Sequence, residues 1–177
     1  MRNLVILLLT SVLLSACGIN GVEGNGNVKE RIRNVESFQG LQVSGRFDVY
    51  LMQGPSSGLT VIADENLHEL IESRVENGVL IIRSTRSIYN AEELKLMISA
   101  AEFEELEFSG AVELRSKETI SGKNLRLSVS GAAEVEMDLD YERLSADLSG
   151  ASEIILTGKV RKVRFDASGA SELSLSN

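Results

Sequence analysis

A hexapeptide returns four times in the second half of the chain: SGAVEL from Ser109, SGAAEV from Ser130, SGASEI from Ser149 and SGASEL from Ser168, at offsets of 21, 19 and 19 residues. A looser copy, SGRFDV, starts at Ser44. Self-similarity at a period near twenty is the mark of a solenoid built from one small unit per repeat. Side-chain parity identifies the unit. Leu125, Leu127 and Val129 alternate with Arg126 and Ser128; Leu144, Ala146 and Leu148 alternate with Ser145 and Asp147; Val163, Phe165 and Ala167 alternate with Arg164 and Asp166. Period two means strands. The alternation resumes after each Ser-Gly through Val135 and Met137, Ile154 and Leu156, then Leu173 and Leu175. A lone rung of about twenty residues orders too much chain for the apolar surface it buries, so the rungs must stack.

The glycines Gly45, Gly110, Gly131, Gly150 and Gly169 fall on the inward parity and are expected at corners, where a side chain would intrude on the core. Second corners are predicted half a period later, at residues 121–124, 140–142 and 158–159. Corners this short cannot reverse a strand and also keep like residues aligned, so pairing is expected to be parallel between rungs. The general rule for parallel crossovers makes the coil right-handed. The expected fold is therefore all-β, a right-handed parallel β-helix with rungs of about 19–21 residues. Residues 28–105 are less regular. Strand-like runs at 38–43, 47–52, 59–63, 79–83 and 94–98 are predicted to form wider coils of the same body, with Ser44 to Ser109 spanning about three periods. Asp64 is expected to cap one short helix that holds Leu67 and Ile71 on one face and ends before Gly78.

The N-terminus carries a different signal. Met1 and Arg2 precede an apolar run from Leu4 to Leu14, then Ser15, Ala16 and the only cysteine, Cys17. As a helix this run rises about 17 Å, short of the roughly 30 Å hydrocarbon core, and it has the outline of a secretory signal. Leu14-Ser15-Ala16-Cys17 resembles the bacterial lipobox. That resemblance implies cleavage before Cys17 and diacylglycerol on its sulfur, so the membrane becomes a partner through a lipid anchor. Loss of residues 1–16 removes one positive charge and no negative one, taking the net charge from -8 to -9. The expected organisation is a signal peptide at 1–16, a lipidated cysteine and flexible Gly/Asn-rich tether at 17–27, and a head at 28–177 with regular repeats at 104–177.

Composition removes several functions. An acidic chain repels phosphate backbones, which excludes nucleic acid as a partner. One histidine, one cysteine and no tryptophan leave few parts for a histidine triad, a disulfide framework or a metal cage, and no cofactor is implied. GNGN at 24–27 is followed by neither GK[ST] nor a helix, so it is no phosphate cradle. The residues that do recur are acidic: Glu113, Glu134, Glu153 and Glu172, with Asp48 in line, form a candidate ladder on outward parity. Neighbours near 4.8 Å apart repel by about 0.9 kcal/mol in water, so the ladder must be wet, splayed or bridged by cations such as Ca²⁺. A uniform ladder does not separate a general acid from a base, which argues against an enzyme. Lys117, Lys123, Lys159, Arg161 and Lys162 sit near corners, where they could neutralise a uronate or simply face solvent. Tyr50, Tyr89 and Tyr141 could contact sugar or be partly buried. His68 is expected to be exposed or capping, and the repeat serines to be corner residues.

The run GNGNVKERIRNVESFQGLQVSGRFDVYLMQG, the ADENL at 63–67 and the SGA-x-E repeats resemble the auto-transporter adhesin, head GIN domain family of Bacteroidetes and related envelope proteins. The resemblance implies a right-handed parallel β-helix shaped like the pectin lyases but lacking their catalytic residues. It also implies a secreted or lipoprotein location, here the outer membrane of a Gram-negative cell, and a role in adhesion without an established active site. Together these observations predict a non-enzymatic, lipid-anchored envelope protein that meets a protein or glycan ligand. The alternative is a polysaccharide-binding protein or degenerate pectin-lyase-like enzyme assisted by cations. Asn177 follows the last hexapeptide by four residues, which predicts either homo-oligomers joined through an open C-terminal rung or a chain cut short of a further rung.

Overall fold

The computed structural model describes residues 21–176; the expected signal peptide at 1–16 and the expected lipidation site Cys17 lie outside them. The protein is all-β. Its strands are β1 (Val22–Glu23), β2 (Val28–Arg33), β3 (Gly40–Gln53), β4 (Gly58–Asp64), β5 (Ile71–Glu76), β6 (Val79–Ser84), β7 (Ile88–Asn90), β8 (Leu94–Ala100), β9 (Glu105–Ser116), β10 (Ile120–Gly169) and β11 (Glu172–Ser176). The main sheet runs β2-β4-β8-β3-β9-β10-β11, and β1 pairs with β7 in a second, two-stranded sheet.

From β3 onward the pairing is parallel and the repeat sets the register. Gly45 lies opposite Gly110. Gly110 lies opposite Gly131 at the offset of 21, and Glu153 lies opposite Glu172 at the offset of 19. β10 stays extended through all of its corners, including the predicted breaks at 121–124, 140–142 and 158–159. The inward columns follow from period two. Leu80, Leu41, Leu106 and Leu127 are stacked, as are Ile82, Val43, Phe108 and Val129, and Leu96, Val49, Leu114 and Val135. All twelve are buried. The columns continue through Ala146, Leu148 and Ile154, so the core is a set of aliphatic rows along the stack, each member worth about 1.5–3 kcal/mol.

The N-terminal half departs from the expected coils. β3 does not lie three periods from β9; it is its immediate neighbour, and the 65-residue excursion from Ser44 to Ser109 returns to the same place. β6 and β8 pair in parallel with the other edge of β3, so the chain lays down its outer rung after the inner one. Beyond it the sheet turns antiparallel: β4 on β8, β2 on β4, and β5 on β6 as a hairpin. Asn77 and Gly78 have φ of 52° and 77°, the left-handed pair that a tight hairpin turn requires. The sheet is therefore mixed. Parity alone could not reveal this, because it fixes which face is buried and not the direction of the neighbour.

The expected helix is a 3-10 segment, Glu65–Leu70, and Ile71 already opens β5. Asp64 makes no side-chain cap; its Oδ2 accepts instead from the Glu92 N–H at 2.8 Å. His68 is buried rather than exposed, and since the Lys29 carbonyl 3.0 Å away can only accept, its Nε2 donates. Arg33 ties β2 to this corner, donating to the carbonyls of His68 at 2.9 Å and Ile71 at 2.6 Å. The segment expected to be a free tether is docked from Val22. β1 pairs with β7, Asn66 donates to the Glu23 carbonyl, and Asn27 donates to Glu65 Oε2 at 2.7 Å. Val163 and Phe165, on inward parity, are 42% and 38% exposed because no described strand covers that end of the stack.

Candidate functional site

The repeat glycines line up as one column, but their role differs from the expected one. Gly110, Gly131 and Gly150 are exposed at the surface, not pointed at the core. Their φ values are +106°, +106° and +98°, and a Cβ on each would strike the carbonyl oxygen of the glycine one rung back. Glycine is required by backbone conformation and by the contact between rungs. The bend leaves a shallow groove on either side of the column.

One groove holds the predicted ladder. Asp48 lies opposite Glu113, Glu113 opposite Glu134, and Glu153 opposite Glu172. Asp48, Glu113, Glu134 and Glu153 line this groove together with Arg46 and the small residues Ala111, Ala132 and Ala151. The row is not purely acidic. Arg115 reaches across, with Nη1 3.0 Å from Glu113 Oε2 and Nε 3.8 Å from Glu136. The hydrogen bond to Glu113 holds the Arg115 guanidinium above its usual range, so it stays charged. Asp48 pairs in register with Lys95, which is bonded to Glu93 at 3.0 Å. Partial burial, reinforced by Glu113, raises the Asp48 carboxyl above the ordinary carboxylate range. Thus one end of the ladder is drier than the rest.

The second groove was not anticipated. Glu107, Ser128, Asp147 and Asp166 form another polar row, flanked by Ser130, Ser149 and Ser168. Glu107 and Ser128 are paired in register, and the next members follow at the repeat spacing of 19. That spacing was visible in the sequence as the outward residues two before each Ser-Gly. The serines are spent locally: Ser109 Oγ donates to Ser44 Oγ at 3.0 Å, and Ser168 Oγ to the Leu148 carbonyl at 3.4 Å.

Among the described residues, no group of three or more His, Cys, Asp or Glu side chains could hold a metal ion; the ladder carboxylates follow one another along a line. Of the corner cations, Lys117 sits 4.5 Å from the Tyr50 ring centre as a cation-π pair, and Lys162 lines a further groove with Arg126, Arg143 and Arg164. Tyr141 is buried, its hydroxyl donating to the Phe103 carbonyl at 2.8 Å, and burial pushes its acidity far below that of free tyrosine. Tyr89 is bonded to Glu23 Oε2 at 2.7 Å. No aromatic platform for a sugar is assembled from these three. Among the described residues, no helix is long and apolar enough to cross a membrane.

Several solved bacterial structures share this fold. The crystal structure of a putative adhesin from Bacteroides fragilis superposes with a TM-score of 0.61 at 16% identity, over 88% of this chain and 95% of that one. One from Parabacteroides merdae gives 0.50 at 14% identity, over 89% and 99%. One from Parabacteroides distasonis gives 0.50 at 14% identity, over 88% and 100%. At these identities the likeness concerns the fold. No curated protein matches the chain. The family model described as putative auto-transporter adhesin, head GIN domain, matches residues 37–177, from the strand that carries the first Ser-Gly to the last hexapeptide. The chain belongs to this adhesin-like head GIN domain family.

Proposed function

We propose that the chain is a non-enzymatic, lipid-anchored protein of the outer membrane that displays its two stacked grooves outside the cytoplasm for adhesion or envelope assembly. Cys17 carries the anchor, since two or more acyl chains hold a protein durably at a bilayer. The regular part is a right-handed parallel β-helix, a reading supported by parallel register at the repeat offsets and by the handedness rule for parallel crossovers. The observation that carries the functional reading is the registered ladder Asp48, Glu113, Glu134 and Glu153. Equivalent groups repeated at the strand spacing offer many like contacts rather than one reactive centre, which suits multivalent attachment.

The test has two arms. Cys17→Ser should move the protein from the membrane to the soluble fraction; continued membrane retention removes the anchor. Pull-down from the native envelope, with and without Ca²⁺, should recover a partner with wild type and lose at least about tenfold with the triple Glu113→Gln, Glu134→Gln, Glu153→Gln variant. Equal recovery would show that the ladder does not make the contact. A glycan array run on the same two proteins separates sugar from protein as the partner.

A further inference from the structure

A basic groove crosses the outer face of the regular rungs. Arg126, Arg143, Lys162 and Arg164 line it with Asn124 and Ser145, and Glu104 is its one carboxylate. All four cations are exposed. In a chain with 18 basic residues against 26 acidic ones this concentration is local, and the repeat sets it. Asn124, Arg143 and Lys162 follow at successive offsets of 19, as do Arg126, Ser145 and Arg164. Equivalent positions therefore recur at the strand spacing of about 4.8 Å, one column reading amide, cation, cation and the other cation, hydroxyl, cation. Most of the charge is uncompensated. Among the described residues Arg126, Arg143 and Lys162 form no ion pair, although Arg126 lies opposite Glu105 in register. Arg143 Nε donates to the neutral Asn124 Oδ1 at 2.6 Å, which orients the guanidinium and leaves its terminal N–H groups unspent. Only Arg164 is paired, to Asp166 at 2.9 Å.

We propose that this groove binds a linear acidic glycan, whose carboxylate or sulfate groups pair with the cations while its hydroxyls bond to Ser145 between them. A guanidinium fork meets either oxyanion through two parallel hydrogen bonds, so Arg126 and Arg143 supply geometry as well as charge. Donors repeated from rung to rung meet acid groups repeated from sugar to sugar, and the contacts reinforce one another along the polymer. No aromatic side chain lines the groove. Single-stranded nucleic acid, which relies on base stacking, is disfavoured for that reason, and a neutral sugar has no platform to lie on. An acidic peptide offers carboxylates without hydroxyls to match Ser145. The excess of negative charge over the whole chain repels a polyanion from the other faces, which confines binding to this one. The groove is opposite in sign to the carboxylate ladder, and the inference does not rest on the adhesive reading of that ladder.

The test passes the full chain, in neutral detergent, over beads carrying alginate, dextran sulfate, polyglutamate or uncharged dextran. Alginate, dextran sulfate or both should retain it at low salt and release it as salt rises, and retention by one alone identifies the acid group as carboxylate or sulfate. Uncharged dextran should not retain it. The double variant Arg126→Gln, Arg143→Gln should weaken retention at least about tenfold with thermal unfolding unchanged, since both side chains are exposed. Lys29→Gln with Arg86→Gln removes the same charge elsewhere and should bind like wild type. The triple glutamine variant of the ladder should bind no more weakly than wild type. No retention on either acidic glycan, a groove variant that binds like wild type, an equal loss in the Lys29 and Arg86 control, or retention by polyglutamate as strong as by the glycans would overturn the proposal.

Discussion

Replacing Gly131 by alanine probes the contact between rungs. At a φ of +106°, alanine pays the strain of a backbone region that essentially only glycine occupies, on the order of 1–3 kcal/mol. Its Cβ would also meet Gly110, falling against the carbonyl oxygen and 3.0 Å from the nitrogen. Because the obstacle is backbone, no side-chain rotation relieves it; the rungs must part, at about 1–3 kcal/mol more. The expected total of about 2–6 kcal/mol is a large share of a net stability of about 5–15 kcal/mol. It should lower the Tm by roughly 5–20 °C for a domain of this size. Two controls separate the contributions. Gly78→Ala has a φ of +77° and nothing within 4 Å, so it should show strain alone, about 1–2 kcal/mol. Gly54→Ala also has open space and should change stability by less than about 0.5 kcal/mol. Thermal and urea unfolding followed by circular dichroism measures all three. If Gly131→Ala costs no more than Gly78→Ala, the rungs are not in backbone contact at the glycine column.

Two further outcomes follow from the same geometry. The raised Asp48 carboxyl binds its proton more tightly in the folded chain, so folding loses stability as pH rises from the ordinary aspartate range through the higher folded value. Asp48→Asn should therefore stabilise the domain at neutral pH, with the gain vanishing below the ordinary range; a gain that persists in acid would contradict the cause assigned. Tyr141→Phe removes the donor to the buried Phe103 carbonyl and should cost about 1–3 kcal/mol in urea unfolding, and no measurable loss would mean that water replaces the bond.

The regular rungs were legible because period two and period nineteen act on the same residues. Leu127, Val135 and Ile154 had to face inward, and the recurring hexapeptides had to lie side by side. The first half was less legible. Its strands alternate equally well, but alternation is blind to whether β4 meets β8 head-on or tail-on. The similarity of Ser44-Gly45 to Ser109-Gly110 was itself the signal that the two are direct neighbours, and counting periods along the chain obscured it. His68 is buried through its bond to the Lys29 carbonyl, 39 residues away, which no local pattern encodes. The docking of residues 22–27 depends on amide and carboxylate partners such as Asn66 and Glu65, not on apolar periodicity. Of the site, the Glu ladder was visible within the hexapeptide. The Glu107, Ser128, Asp147 and Asp166 row lay just before it, in residues read only as the polar half of an alternation.

The stacking of successive hexapeptides in parallel register can be measured by cross-linking cysteines at equivalent positions. In a Cys17→Ser background, the pair Glu113→Cys and Glu134→Cys occupies directly opposed positions of β9 and β10 and should close an intramolecular disulfide readily under mild oxidation. The displaced pair Glu113→Cys and Asp138→Cys, four residues further along the strand, should remain reduced. Equal yields, or closure of the displaced pair alone, would contradict the register on which the columns and the ladders both depend.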